Sequence, residues 1–319
     1  MDQFNVYKDM KARTNGEIYI GVVGPVRTGK STFIKRFMNL MVLPNIEDEN
    51  DRNRANDELP QSSSGKTIMT TEPKFVPNEA VSIKTEEGIE LNVRLIDCVG
   101  YMVEGATGHM EGEEERLVKT PWFDYEIPFT KAAAIGTKKV ITEHSTIGVV
   151  VTCDGSFGEI AAKQYEPAEE ETIKQLKALK KPFVVLLNTI HPYSESTKQL
   201  AAEKEEKYQT KVLPMNLEQM KKEDIYEIIK SVLMEFPISS IGFYVPRWTE
   251  MLKKDHPLKM ELLQMARDVI TEKTTMRDIY EEQEKEYEYI TGQKLESVAM
   301  DSGEVVITVK LGMYIIMNF

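Results

Sequence analysis

Apolar runs alternate with helical patterns along most of this chain, and the alternation predicts a layered α/β fold. Residues 3–13 read as a short helix closed by the turn signal Asn15-Gly16. The continuous apolar run 18–23 then predicts a buried strand. Helical periodicity follows from Thr32 to Leu43, where Pro44 stops it. Residues 45–66 are polar and lack an apolar face, so they are expected to form a long irregular loop, functional or disordered. Residues 81–84 and 90–96 predict a hairpin around Glu86-Glu87-Gly88. A long insert rich in Gly and Glu occupies 101–128, in which Trp122 and Phe123 read as a local packing cluster. Helix 129–144, strand 147–153, helix 166–179, strand 182–187, helix 196–208, strand 211–215 and helix 217–236 complete the pattern. The expected architecture is a mostly parallel sheet with helices on both faces and one antiparallel hairpin.

A boundary is expected near Pro237, giving a first domain at 1–236 and a smaller α+β domain at 237–319. The second part predicts a strand at 241–245, helices at 248–254 and 258–289, and a strand at 305–309. That last strand has no obvious neighbour, so the chain is expected to be a piece of a longer protein, truncated before a further domain.

Composition changes this picture only at its margins. A formal net charge of −12 argues against a broad nucleic-acid surface and leaves room only for a local basic patch. The two cysteines, Cys98 and Cys153, lie inside apolar strand patterns and read as reduced, buried thiols of a cytosolic protein. No apolar run reaches the about 20 residues that span a bilayer, and the charged first thirteen residues are not a signal peptide. Transmembrane insertion is therefore not expected.

The chemistry concentrates at strand ends. Between the first strand and its helix runs Gly24-Pro25-Val26-Arg27-Thr28-Gly29-Lys30-Ser31, the GxxxxGK[ST] spacing in its proper strand–loop–helix setting. A side-chain-poor turn lets successive N–H groups face an anion, and the helix N-terminus adds its dipole. Gly24, Arg27, Thr28, Gly29, Lys30, Ser31 and Thr32 are thus the expected nucleotide cradle, with Lys30 on the β- and γ-phosphates and Ser31 on Mg²⁺. Thr70 and Thr71 stand where a GTPase-like protein carries its first switch, and either would close over Mg²⁺ and the γ-phosphate; a plain loop is the alternative. Asp97-Cys98-Val99-Gly100 ends the next strand, so Asp97 is the expected metal carboxylate and Gly100 the γ-phosphate sensor. Asp154, in Asp154-Gly155-Ser156, reads first as a turn residue and second as a neighbour of the nucleotide.

Strand 182–187 leads into Asn188-Thr189-Ile190-His191, where GTPases place Asn-Lys-x-Asp. Asn188 is kept, but the carboxylate that would accept guanine N1–H and its 2-amino group is His191. Without that acceptor the bias against adenine falls away, because guanine would bury unpaired donors. ATP is therefore the expected nucleotide. Tyr101 follows the DxxG where Ras-like enzymes keep a water-orienting glutamine, so any hydrolysis should be slow. Arg27 is either an internal arginine finger, as in the P-loops of guanylate-binding proteins that it resembles, or a partner for a switch carboxylate.

The stretches GVVGPVRTGKSTFIKRFMNLMVLPNI, DELPQSSSGKTIMTTEPKFVPNEAVSI, RLIDCVGY and EHSTIGVVVTCDG closely resemble the stage IV sporulation protein A family of spore-forming bacteria. The resemblance spans about residues 1–290; the stretch 310–319 matches poorly. It implies a cytoskeletal ATPase, derived from translation-factor GTPases, whose ATP hydrolysis drives homopolymer assembly into the basement layer of the spore coat. The family's Walker A lysine falls on Lys30, its sensor threonines on Thr70 and Thr71, and its Walker B aspartate on Asp97. Implied partners are further copies of the chain, coat morphogenetic proteins, and a short amphipathic anchor peptide. That peptide binds a C-terminal region largely beyond this sequence. The implied location is the mother-cell cytoplasm, at the forespore surface. The alternatives are a regulatory GTPase of translation-factor type and a nucleotide-bound scaffold that does not turn over.

Overall fold

The computed structural model describes residues 5–60, 72–85, 88–106, 108–111, 114–158, 160–280 and 285–312. The chain divides into two compact units, one of residues 6–232 and one that runs from Leu233 onward.

The first unit opens with α1 (Val6–Arg13), β1 (Glu17–Val23) and α2 (Lys30–Phe37). A π-helical turn, Met38–Val42, and a 3-10 turn with Pro44, Leu43–Asn45, end the second helix where the proline was expected to stop it. α3 (Glu49–Asp57) then falls inside the stretch expected to be irregular. Its N-cap Asp48 accepts from the Asp51 N–H at 2.9 Å, and Ala55 is its one buried residue. A helix with so narrow an apolar face leaves little periodicity to read.

β2 (Lys74–Lys84) and β3 (Glu90–Asp97) form the antiparallel hairpin, with a register shift between Val76 and Val81. The insert carries the short pairs β4 (Met110–Glu111) with β5 (Glu114–Glu115), and β6 (Leu117–Thr120) with β7 (Phe123–Pro128). Phe123 packs on Tyr125 with ring centroids 5.4 Å apart, in keeping with a local cluster. α4 (Phe129–Lys139), β8 (Ile147–Cys153), α5 (Ala162–Ala178), β9 (Phe183–Asn188), α6 (Glu195–Tyr208), β10 (Val212–Met215) and α7 (Lys222–Met234) follow. The expected helix 217–236 is split: Leu217–Gln219 is a separate 3-10 turn capped by the Asn216 side chain, and α7 starts only at Lys222. α5 starts four residues earlier than expected, where Gln164 Oε1 accepts from the Ala161 N–H at 2.9 Å.

The six strands order as β10-β9-β8-β1-β3-β2, all parallel except the β2–β3 pair. Alternation along each strand divides the core. Val23, Ile96, Val150, Val185 and Leu187 gather with Val140 and Ile141 and with Ile173, Leu176 and Ala201 of α5 and α6. The alternate residues Ile18, Ile20 and Val22 are equally buried, and α1 and α2 contact β1. Each such side chain contributes about 1.5–3 kcal/mol. The chain passes from β1 to β3 on one side and to β8 on the other, so the sheet changes direction beside the end of β1. Ligands of open α/β sheets bind at such a switch point.

The second unit holds β11 (Ser240–Tyr244), α8 (Pro257–Glu272), β12 (Ile290–Ala299) and β13 (Glu304–Leu311), in a sheet ordered β11-β13-β12. β13 thus has neighbours on both sides, parallel β11 and antiparallel β12. The expected helix 248–254 is a 3-10 turn, Arg247–Met251, and the expected helix 258–289 ends at Glu272. The chain turns there because Asp278 Oδ2 accepts from the Thr274 and Thr275 N–H groups at 2.9 and 2.7 Å, while Thr275 bridges to Pro237. Among the described residues no helix is long and apolar enough to cross a membrane.

Candidate nucleotide site

The loop 24–29 leaves β1 at the switch point and enters α2 through Gly29, whose φ is +102°. A side chain at Gly29 would meet the Asn188 amide at 2.7 Å, so this position requires glycine both for its backbone and for its neighbour. Thr28 is buried, and its hydroxyl donates to the Pro25 carbonyl at 3.0 Å, bracing the loop from within. Arg27 adopts a left-handed φ of +61°, and the residue is exposed. Thr32 is half-buried on the first turn of α2.

Lys30 is 5% exposed, and its ammonium donates to the carbonyls of Pro25 and Gly24. Burial pushes its pKa down, opposed by the neighbouring Cys98 and Asp97. Ser31 donates to Asp97 Oδ2 at 2.8 Å. Burial raises the Asp97 pKa, against the opposing pull of the Ser31 bond and the Lys30 charge. Asp97 Oδ1 is buried without a hydrogen-bond partner among the described residues. Burial pushes the Cys98 thiol up to about 11, and it donates to the Val22 carbonyl.

The loop after β3 is held against the phosphate cradle. Pro25 pairs with Tyr101 as a backbone bridge, and the Val26 N–H donates to the Tyr101 carbonyl at 3.0 Å. Gly100 has φ +93°, and any Cβ there would sit 2.1 Å from the Gly24 carbonyl oxygen and 2.7 Å from the Lys30 ammonium. The Tyr101 ring packs on the cluster of Val26, Val103, Cys153 and Tyr165, and burial raises its phenol to about 12. That placement makes Tyr101 a packing residue.

Asn188 joins the site from the end of β9. Its amide donates to the Thr28 carbonyl at 3.0 Å and accepts from the Leu217 N–H at 3.3 Å, tying the loop to two neighbouring strand ends. Asp154 takes the turn role: Oδ1 accepts from the Ser156 N–H at 2.9 Å, and Oδ2 accepts from the Thr189 hydroxyl. His191 is exposed.

Gly24, Thr28, Gly29, Lys30, Ser31, Asp97, Gly100 and Asn188 therefore converge at one end of the sheet, whereas Thr70 and Thr71 lie outside the described residues. The Thr189–Asp154 contact was missed because Thr189 registers in sequence only as a lost lysine. The Asp-x-Ser turn was the one signal that pointed to it.

Hard oxygen ligands and an unsatisfied buried carboxylate oxygen fit Mg²⁺, which takes one or two protein ligands and completes its shell with phosphates and water. Fold and site together define a P-loop NTPase of GTPase-like build. Comparison with known proteins then narrows the class. Residues 1–237 match the family model described as stage IV sporulation protein A, ATPase domain, and residues 238–317 match that family's middle domain. The chain is 54% identical over 275 residues to stage IV sporulation protein A of Clostridioides difficile, covering 86% of this chain and 56% of that protein. It is 47% identical over 305 residues to the Bacillus anthracis protein and 46% identical to that of Bacillus subtilis, covering 95% of this chain and 62% of each relative. The chain belongs to the stage IV sporulation protein A family, a sporulation family with an ATPase domain. It spans about three fifths of the length of the curated relatives it matches.

Proposed function

We propose that this chain binds ATP with Mg²⁺ and hydrolyses it slowly, and that hydrolysis drives assembly of further copies into the basement layer of the spore coat. The observation that carries the catalytic part is the grouping of buried Lys30 with exposed Ser31 and with Asp97, whose buried Oδ1 has no hydrogen-bond partner among the described residues. The assembly part rests on the family resemblance alone. So do the coat-protein partners, the amphipathic anchor peptide held by a C-terminal region beyond this chain, and the mother-cell location at the forespore surface. The domain division proposed with it is a nucleotide-binding part at 1–236 and the beginning of a middle domain at 237–319.

In this reading Lys30 turns from the loop carbonyls to the β- and γ-phosphates, where a negative ligand restores the charge balance its burial disturbs. Ser31 and Asp97 would hold Mg²⁺, which would supply positive charge against the nucleotide's phosphates. The Gly100 N–H reports the γ-phosphate, Thr70 and Thr71 close the first switch, and Arg27 offers a cationic finger from the loop. ATP is favoured over GTP because exposed His191 stands where guanine needs a carboxylate. With half-buried Tyr101 packed on its neighbours, the position after the DxxG offers no glutamine-type helper for water, and turnover is slow.

Phosphate release with ATP and with GTP, for wild type and Lys30→Ala, tests this. Slow ATP turnover that falls about 10²-fold or more in the variant is the expected result. Lys30-dependent turnover of GTP alone would overturn the choice of base. ATP binding without turnover of either nucleotide would leave a scaffold.

A further inference from the structure

The loops after β8 and β9 are stitched by an unbroken series of hydrogen bonds. Asp154 Oδ1 accepts from both the N–H and the hydroxyl of Ser156, and Asp154 Oδ2 accepts from the Thr189 hydroxyl at 2.5 Å. The same Ser156 oxygen accepts from the Ile190 N–H at 3.1 Å, and the Thr189 oxygen accepts from the His191 N–H at 3.1 Å. Thr189 is wholly buried, its own N–H bonded to the Met215 carbonyl. One residue earlier lies Asn188, which grips the Thr28 carbonyl of the phosphate loop. A hydroxyl-to-carboxylate bond is among the stronger neutral-to-ion contacts, and here it fixes the backbone just beyond Asn188.

We infer that the Thr189–Asp154 bond is a latch that positions the base-side wall of the nucleotide site, so that recognition of the nucleoside depends on it while the phosphate cradle does not. Thr189 and Asp154 are positioning residues acting through the 189–191 backbone, whereas the Asn188 side chain is held independently by the Leu217 N–H. The latch also redefines the lost lysine of the guanine motif: its replacement brings a hydroxyl of the right length to fasten the loop to β8. The phosphate cradle has separate braces, namely the Thr28–Pro25 bond, the Val26–Tyr101 bond and the Lys30 contacts. Losing the latch therefore affects one half of the site.

The inference rests on nucleotide binding at this loop, and the test separates the two. Affinities for Mg·ATP and for inorganic tripolyphosphate are measured by titration calorimetry on wild type, Thr189→Val and Thr189→Ser. Thr189→Val, which keeps the shape and removes the hydroxyl, is expected to weaken ATP about tenfold while tripolyphosphate changes less than about twofold. Thr189→Ser is expected to restore ATP affinity. Equal loss for both ligands, or no loss for either, overturns the latch. Should Thr189→Val fail to fold, Asp154→Ala, which removes the acceptor, supplies the same contrast, with ATP again weakened selectively. Wild-type ATP affinity that Lys30→Ala leaves untouched would instead overturn the nucleotide site itself.

Discussion

The two halves of the nucleotide site are built on opposite principles. On the phosphate side, burial displaces the pKa values of Lys30 and Asp97 in the unfavourable direction, and Asp97 Oδ1 has no hydrogen-bond partner among the described residues. On the base side the side chains are satisfied: Asn188 donates and accepts, and both oxygens of Asp154 are engaged. Buried polar groups left incomplete cost stability and are kept where a ligand completes them. The satisfied half is scaffold, and the incomplete half is where the chemistry belongs.

Gly100→Ala is the most damaging way to test that division. The methyl group would collide with the Gly24 carbonyl and the Lys30 ammonium, at a φ that alanine resists. Turnover should fall about 10²-fold, because displacements of an ångström at a reacting centre cost that much. Thermal unfolding should also come several degrees lower, roughly 2–4 °C for each kcal/mol of strain in a chain of this size. A phosphate-release assay with near-normal rates would show that the approach of the Gly100 loop to the cradle is incidental.

A smaller and subtler effect concerns pH. Burial lowers the Lys30 pKa below its ordinary 10.5, so the native state gives up this proton more readily than the unfolded chain. Between the lowered native value and 10.5 the unfolded state binds more protons, and stability therefore rises with pH. Lys30→Met has no such term. Its stability relative to wild type should be greatest near neutral pH and should shrink as pH climbs through the lowered native value towards 10.5. Urea unfolding of both proteins across that range measures the difference, and a difference that stays constant with pH would place Lys30 in solvent.

How much of this was legible in the sequence follows the same division. The phosphate loop was readable because its geometry admits few spellings: glycine where φ is positive or a neighbour intrudes, lysine and serine at fixed places. The parallel sheet was readable because buried strands such as Ile147–Cys153 and Phe183–Asn188 are continuous apolar runs. The latch was not, since it joins a commonplace aspartate to a commonplace threonine 35 residues away. α3 was hidden by its nearly all-polar surface. The helix forecast over 258–289 overran because charged residues kept a helical composition past Glu272, while the Asp278 contacts that turn the chain carry only a local signal. β12, with few fully buried positions, lacks the alternation that would announce a strand.

A metal that accompanies the nucleotide is expected to complete Asp97, whose Oδ1 lacks a hydrogen-bond partner among the described residues. ATP affinity measured with and without Mg²⁺, on wild type and Asp97→Asn, tests it most directly. Mg²⁺ is expected to tighten ATP binding by wild type and to do nothing for the variant. An equal Mg²⁺ enhancement in both proteins would contradict it.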